Sequence, residues 1–435
     1  MLNIAFYLDN AKLSKTNWTN ILKGNPGVGG SEYEIILTAY KLSLYKKYSV
    51  IVFAHYIERF PTGLNLIKIN NIGEALDIAS KKNTKYFIFK EEPQWIKEGY
   101  LNNLPNSLFL IPWCHNFLKS WRLDFYSKCP NIKSLIMVGR EQADLYRDHK
   151  VFRKIDYIYN GFPIPQKKEI LDIFTPIEKR SNIVTFMASI MPFKGFHILA
   201  KAWPKIIDEV PDAQLYVIGS GKVYDENKVL GKYGIAEESY ERVFMPYLTD
   251  KEGNILPSVH FMGRMGTEKI EIIKKTKVAV PNPSGDTETF GIGAVEFGIM
   301  GCDVITRRCC GYLDTVFNKK NLYSQRKSKI LAKYVIKALK QPNNNFEDVY
   351  NDIKKRFSIE QTVKEWDCLF EKLENGENKI HDLEKNIPNK TFRYKWLRII
   401  YSYINKLFLY KLPPMIKWSE NRLIIHINWL RNQNY

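Results

Sequence analysis

The chain is most informative between Lys277 and Met300, where it reads KVAVPNPSGDTETFGIGAVEFGIM. The run from Lys277 to Val280 is mostly apolar and predicts a buried strand, and the apolar pattern from Ile292 to Met300 predicts a helix. Proline, serine and glycine between them predict a connecting loop. We therefore expect a strand, a loop and a helix, the repeating unit of an α/β fold.

Two carboxylates lie near the start of this helix. Thr289 is a suitable N-cap, and the free amides near Phe290 and Gly291 would favour phosphate or sugar oxygens at the positive end of the helix dipole. Glu288 precedes the helix, and Glu296 follows eight residues later in its second turn. Acids at this spacing are ordinarily solvated surface, but the preceding strand and loop favour a site that offers two acceptors to a hydroxyl-rich ligand.

The alternation of strands and helices occurs twice along the chain. The first series begins with the strand Leu2 to Leu8, and a break rich in proline and lysine follows between Ile164 and Ser181. We predict two doubly wound α/β domains, residues 1–165 and 181–375, with ligands beyond the carboxyl ends of their strands and the active site in the cleft between them. The other predicted strands are 49–54, 86–89, 108–111, 134–138, 182–188, 214–218, 260–263 and 303–306.

Composition excludes several classes of protein. The 435 residues are 45% hydrophobic and 26% charged, which is too apolar for a disordered chain. The net charge of +19 indicates an anionic partner, such as a phosphorylated small molecule, a membrane surface or nucleic acid. No signal peptide pattern begins the chain, no apolar run reaches the roughly 20 residues of a spanning helix, and the six cysteines form no CxxC pair. These features predict a cytoplasmic protein.

The segment 376–435 differs from the rest and is predicted to be a basic, aromatic, helical extension. From Lys390 to Tyr435 it holds nine basic residues and one acid, Glu420, interleaved with aromatic rings that include Phe392, Tyr394, Trp418 and Trp429. Two interpretations are open. The extension could associate peripherally with the anionic inner face of a membrane, or it could be a helical pair packed on the body of the protein.

The spacing of Glu288 and Glu296 around Phe290 and Gly291 resembles the signature of the retaining glycosyltransferases of family 4, of the polysaccharide-biosynthesis type, which have the GT-B fold. Further matches cover residues 1 to about 375 in order and spacing. They are Gly29-Gly30-Ser31-Glu32, His115-Asn116, Asn160-Gly161, Pro192-Phe193-Lys194-Gly195 and Gly219-Ser220-Gly221.

The resemblance implies roles for individual residues. Glu296 would bind the nucleotide ribose and Glu288 the hydroxyls of the transferred sugar, while Lys194 would balance the donor diphosphate. His115 would lie near the sugar C6 hydroxyl and the acceptor, so Glu288, His115 and Lys194 are the candidate catalytic residues. Ser189 departs from the pattern, since the family usually has Arg there, and a cation elsewhere, such as Arg264, could substitute. The full candidate donor-binding set is Gly29, Gly30, Ser189, Lys194, Gly219, Glu288, Thr289, Phe290, Gly291 and Glu296.

The resemblance further implies retaining transfer of a hexose-type sugar from a nucleotide-diphosphate sugar to a glycan or lipid-linked acceptor, in surface polysaccharide synthesis. We expect front-face substitution, in which the departing diphosphate oxygen takes the acceptor proton. No Asp-x-Asp motif follows a strand, so neither a metal nor another cofactor is expected. The alternatives are a nucleotide-sugar epimerase of the same fold and a nucleic-acid-binding protein. No nucleic-acid partner is expected, because no RNA-binding or zinc pattern is present.

Overall fold

The computed structural model describes residues 1–385, apart from residues 226, 287 and 344, and residues 395–417. Within them, a seven-stranded parallel sheet forms the first domain, in the order β3-β2-β1-β4-β5-β6-β7. Its strands are β1 (Leu2–Leu8), β2 (Tyr48–Ala54), β3 (Asn65–Lys68), β4 (Tyr86–Lys90), β5 (Phe109–Cys114), β6 (Leu135–Met137) and β7 (Ile155–Tyr157). Its helices are α1 (Gly30–Ser43), α2 (Ile72–Lys81), α3 (Pro93–Lys97), α4 (Ser120–Lys128) and α5 (Arg140–Asp144).

Both faces of this sheet are covered. Successive residues of β1 alternate between two hydrophobic clusters, with Ile4 and Phe6 in one and Ala5 and Tyr7 in the other. A strand that is buried on both faces needs an unbroken apolar run, and β1 has one from Ile4 to Leu8.

A five-stranded parallel sheet forms the second domain, in the order β10-β9-β8-β11-β12. Its strands are β8 (Ile183–Met187), β9 (Gln214–Ile218), β10 (Val259–Gly263), β11 (Val278–Ala279) and β12 (Asp303–Val304), and a separate pair is formed by β13 (Thr306–Arg307) and β14 (Leu322–Tyr323). Helix α6 (Lys167–Ile173) lies between the domains, and the helices that follow are α7 (Phe196–Glu209), α8 (Glu238–Phe244), α9 (Ile270–Ile273), α10 (Ile292–Ile299), α11 (Cys310–Thr315), α12 (Ser328–Lys340) and α13 (Phe346–Phe357).

The chain then returns to the first domain through α14 (Ile359–Glu374). Trp366 of this helix is fully buried, with its ring centroid 5.0 Å from that of Trp113 in β5. At the end of the helix, Glu374 accepts a hydrogen bond from the Tyr86 hydroxyl over 2.6 Å. Replacing a buried tryptophan by alanine typically costs about 3–5 kcal/mol, so this helix is a substantial part of the first domain's core.

Helix α15 (Lys395–Leu407) lies within the predicted helical extension. Four aromatic residues named in the prediction for this extension lie outside the described residues: Phe392, Tyr394, Trp418 and Trp429. Of the helices in residues 1–385 and 395–417, none has the length and apolarity needed to cross a bilayer.

The structure confirms the predicted α/β fold with two parallel sheets, and some local predictions differ from it. The predicted strand 303–306 is divided between β12 and β13, which belong to different sheets. The connector between Ile164 and Ser181 contains α6, whose first turn is closed by a capping box between Gln166 and Glu169. Thr289 is not the N-cap of α10, because Gly291 takes that position in a left-handed conformation.

Candidate functional site

A cavity of about 430 Å³ opens between the two domains, and its walls come from segments that directly follow strands of both sheets. All of the predicted site residues line it: Gly29, Gly30, His115, Ser189, Lys194, Gly219, Glu288, Thr289, Phe290, Gly291 and Glu296. The structure therefore brings together residues that are up to 267 positions apart in the sequence (296 − 29). Their individual roles stay predictions.

The topology explains why these segments meet. In each sheet the order reverses beside the first strand, since β1 lies between β2 and β4, and β8 lies between β9 and β11. The Gly29-Gly30 loop follows β1, and the loop with Ser189 and Lys194 follows β8. Ligands of open α/β sheets bind at such reversal points, where neighbouring loops run to opposite faces and leave a crevice.

Glu288 and Lys194 form an ion pair inside the cavity. Lys194 Nζ lies 2.9 Å from Glu288 Oε2, and each side chain is only 14% exposed. The same carboxylate oxygen accepts a hydrogen bond from Asn282 Nδ2 over 3.0 Å, which fixes its orientation. Burial acts to lower the pKa of Lys194, but the nearby Glu288 carboxylate outweighs it and the pKa is raised, so the lysine is charged at neutral pH.

A second ion pair faces the same cavity. Lys269 Nζ lies 2.6 Å from Glu296 Oε1, and both side chains are largely buried. Glu296 is on α10, and Lys269 precedes α9, so the pair joins two elements on either side of β11. Within the described residues no group donates a hydrogen bond to Glu296 Oε2, so this oxygen could accept one from a hydroxyl of a bound ligand.

His115 directly follows β5 on the wall that the first domain supplies. Its imidazole lies against Trp113, with ring centroids 4.9 Å apart, and Nε2 has no hydrogen-bond partner among the described residues. Burial, together with the charge of Lys90, lowers the pKa of His115 to about 3. The ring is therefore neutral at physiological pH, and its buried Nε2 is available to a ligand in the cavity.

Cations outnumber carboxylates on the cavity wall. Lys90, Lys194, Arg264 and Lys269 line it, against Glu288 and Glu296. Ser189 stands at the position where the resemblance leads one to expect Arg, and its buried hydroxyl has no partner within the described part of the chain. Three of these cations are already paired with carboxylates, Lys90 with Glu32 and Glu92, Lys194 with Glu288 and Lys269 with Glu296, so the charge of the wall is largely balanced.

Two glycines let backbone approach closely around the cavity. At Gly219, with φ of 142°, a Cβ would lie 1.9 Å from the main-chain oxygen of Ala188. At Gly291, with φ of 88°, a Cβ would lie 2.5 Å from the buried ring of Tyr312. At each position an added Cβ would force its neighbour to shift, and L side chains rarely adopt these φ values, so the turn before α10 favours glycine at 291.

Thr289 is not the helix N-cap that the sequence predicts, whereas its donor-binding role stays a prediction. Its hydroxyl donates to the main-chain oxygen of His115 over 2.6 Å, which joins the second domain to the first across the cavity. The correction follows from Gly291, because a left-handed residue there is the N-cap of α10, and the helix begins at Ile292, three residues after Thr289.

Sequence reasoning missed two cations of the site. Lys90 is the last residue of β4, where it pairs with Glu32 at 2.8 Å and with Glu92 at 3.0 Å. Its position at the carboxyl end of a predicted strand could have indicated that it faces the cavity. Lys269 has no such signal, because the loop and short helix around it show no pattern that points to Glu296.

No group of His, Cys, Asp and Glu side chains suited to holding a metal ion occurs in the part of the chain that the structure describes. The expectation that the protein works without a metal or another cofactor stays a prediction.

Residues 167–356 match the family model described as "Glycosyl transferases group 1". The matched region contains the whole second sheet and most of the cavity's charged residues. Among curated proteins, none matches this chain in sequence.

Solved structures resemble this one over most of its length. A glycosyltransferase from Rickettsia africae has a TM-score of 0.60 at 12% identity, covering 86% of this chain and 98% of its own. HepE from Anabaena, in complex with UDP and glucose, has a TM-score of 0.59 at 15% identity, covering 86% of this chain and 100% of its own. AviGT4, which is involved in avilamycin A biosynthesis, has a TM-score of 0.56 at 11% identity and covers 86% of this chain and 99% of its own. The chain therefore has the GT-B fold that the sequence predicted.

Proposed function

We propose that this chain, whose residues 167–356 form a group 1 glycosyl transferase domain, is a retaining glycosyltransferase that moves a hexose-type sugar from a nucleotide-diphosphate sugar. The acceptor would be a glycan or a lipid-linked glycan in surface polysaccharide synthesis, and the reaction would take place in the cytoplasm. One observation carries the proposal: the Lys194–Glu288 and Lys269–Glu296 pairs face one interdomain cavity on either side of the turn at Gly291.

The chemistry of each pair suits a different part of the donor. Glu296 Oε2, which accepts no hydrogen bond from the described part of the chain, would accept from the vicinal diol of a ribose, and Lys269 holds Oε1 in place. Glu288 would accept hydrogen bonds from the hydroxyls of the transferred sugar. Lys194 would compensate the negative charge that builds on the diphosphate as the glycosidic bond breaks.

Retention is proposed through substitution on the front face of the sugar. The leaving diphosphate oxygen accepts the proton of the acceptor hydroxyl, while that hydroxyl oxygen forms the new bond to the anomeric carbon. In this scheme the protein supplies no nucleophile, and its contribution is to orient the two substrates and to stabilise charge on the leaving group. Neutral His115 would hydrogen-bond the sugar or the acceptor from the opposite wall.

Donor binding is tested first, by the rise in melting temperature that a ligand of the native state causes. A panel of UDP-, GDP- and ADP-sugars would be used, beginning with UDP-glucose because HepE has been crystallised with it. We expect a rise for one nucleotide series, and its loss in Glu296→Gln. The proposal fails if no nucleotide sugar in the panel raises the melting temperature.

Turnover is tested next, with a matched control. Glu288→Gln should lower kcat by about 10²–10³-fold, the usual effect of removing one group that stabilises a transition state. Glu238→Gln changes an exposed carboxylate that pairs with Arg242 on the same domain and should leave turnover unchanged. NMR of the product would assign the anomeric configuration, and an inverted product would contradict retention. Conversion of the donor without an acceptor would instead indicate an epimerase.

A further inference from the structure

Helix α15 exposes its apolar face. Six apolar or aromatic side chains lie at positions 396, 397, 400, 403, 404 and 407, which is the spacing of one helical stripe. Their exposed fractions run from 38% for Ile404 to 82% for Leu407, and the exposed Phe408 and Leu409 continue the stripe beyond the helix. We call these eight side chains the apolar stripe. Contiguous apolar surface of this kind marks an interaction site in a folded protein.

The opposite face of α15 is buried and largely polar. Arg398, Ser402 and Asn405 are each less than 10% exposed, with Ile399 beside them. Asn405 Nδ2 donates to the main-chain oxygen of Asp148 over 2.7 Å, and Arg398 Nε lies 3.9 Å from the Asp148 carboxylate. Polar contacts to the first domain thus fix the helix with its apolar stripe outward, the reverse of an ordinary surface helix.

The charge around the stripe favours one kind of partner. Residues 395–417 hold five basic residues, Lys395, Arg398, Lys406, Lys411 and Lys417, and no acidic residue. Arg398 faces inward and Lys406 pairs with Glu384 over 2.9 Å, whereas Lys411 and Lys417, which follow the helix, are exposed. An apolar stripe bordered by lysines complements a surface with an apolar interior and an anionic boundary.

We infer that the apolar stripe of α15 docks this protein on an anionic phospholipid bilayer. The 13-residue helix would lie in the interface, because a spanning helix needs about 20 residues. Trp396 and Tyr403 would sit at the level of the headgroups, where amphipathic rings are favoured. The lysines would add attraction to the anionic lipid. This inference goes beyond the proposed function and does not depend on it.

The test is cosedimentation of the full chain with vesicles of phosphatidylglycerol and phosphatidylcholine, without any nucleotide. We expect binding to these vesicles and much weaker binding to pure phosphatidylcholine. The double variant Leu397→Glu and Leu407→Glu should bind at least tenfold less. Leu44→Glu is the matched control, because Leu44 is 60% exposed at the end of α1, and it should bind like the unaltered chain.

Three results would overturn the inference. If the full chain binds neither kind of vesicle, the stripe is covered by another part of the chain or carries no lipid affinity. If the double variant binds as well as the unaltered chain, the attraction is electrostatic alone. If sedimentation velocity shows a dimer that the double variant abolishes while vesicles are not bound, the stripe joins two copies of the chain. Donor binding, measured separately by thermal shift, tells any of these results apart from failure of the proposed function.

Discussion

The Thr289 hydroxyl donates a hydrogen bond to the main-chain oxygen of His115 over 2.6 Å, across the cavity between the two domains. The two residues are 174 positions apart, and both are buried. The loop that carries Glu288 is thus tied to the strand end that carries His115. This hydrogen bond therefore couples the positions of the proposed sugar-binding groups on the two domains.

Thr289→Val should weaken this connection. The variant keeps the shape of the side chain but leaves the His115 oxygen without its donor, which costs about 1–3 kcal/mol when the acceptor is buried. We expect a fall of this size in the free energy of unfolding, measured by chemical denaturation. Thr289→Ser keeps the hydroxyl and should lose much less. Equal losses in the two variants would mean that the methyl group, rather than the hydrogen bond, stabilises the contact.

His115 should stay neutral well below the ordinary histidine range. Burial and then the charge of Lys90 lower the pKa of His115 to about 3, so its ring should not titrate between pH 8 and pH 4 in NMR spectra. His381 is the internal contrast: burial acts to lower its pKa, but its bond to Asp156 raises it above the usual value. A His115 midpoint near pH 6.5 would show that the ring is solvated.

The same shift predicts the sign of a stability change. Below about pH 6.5, His115 becomes protonated in the unfolded chain, whereas in the folded chain it stays neutral until the pH nears 3. Stability should therefore fall with decreasing pH across this window, and His115→Gln should reduce the slope of unfolding free energy against pH. An unchanged slope would contradict the prediction.

Gly291→Ala should destabilise the turn before α10 by more than backbone strain alone. An alanine at φ of 88° costs about 1–2 kcal/mol, and its Cβ would also lie 2.5 Å from the buried Tyr312 ring. Gly63→Ala is the matched control, since Gly63 has φ of 94° and nothing within 4 Å of the added Cβ. The difference in unfolding free energy between the two variants should be about 1–3 kcal/mol, the usual cost of overpacking. No difference would show that the ring moves aside freely.

The sequence predicted the strands best where burial on both faces forces a continuous apolar run. The prediction for β1, Leu2 to Leu8, matches the structure at both ends, and so does that for β9. β3 was missed because it is an edge strand with exposed residues at both ends, Asn65 and Lys68, and lacks such a run. β7 was missed because it is a short edge strand whose central residue is the polar Asp156, whereas the equally short β6 is entirely apolar and was predicted.

The cavity residues were predictable where a motif places them after a strand, as for Glu288 and Lys194. The ion-pair partners of these residues were harder to predict. A pair such as Lys269–Glu296 arises from the packing of two elements whose sequences contain no common motif. The sequence likewise could not predict that Arg398 of α15 faces inward and Leu397 faces outward. The periodicity gives an amphipathic helix, but only the contact with Asp148 decides which face is buried.

Glu34 should make the stability of the first domain depend on pH in the opposite direction to His115. Its side chain on α1 is fully buried, with one oxygen accepting from the Gly161 amide over 2.8 Å and the other without a partner in the described ranges. Burial raises the pKa of Glu34 well above its usual value, and the Gly161 bond opposes this only in part. Above about pH 4.3, the unfolded chain releases a proton that the folded chain retains, so stability is lost as the pH rises. The Glu34→Gln variant has no proton to release at this position. Its unfolding free energy, relative to that of the unaltered chain, should therefore rise as the pH increases from 5 to 8. Any cost of the new amide is the same at every pH, so the slope of unfolding free energy against pH is the measured quantity.

Glu360→Gln is the control for this prediction. Glu360 is an exposed glutamate on α14 that pairs with Lys41 of α1, and its replacement should leave the slope nearly unchanged. Equal slopes for all three proteins would mean that Glu34 is ionised in the folded protein.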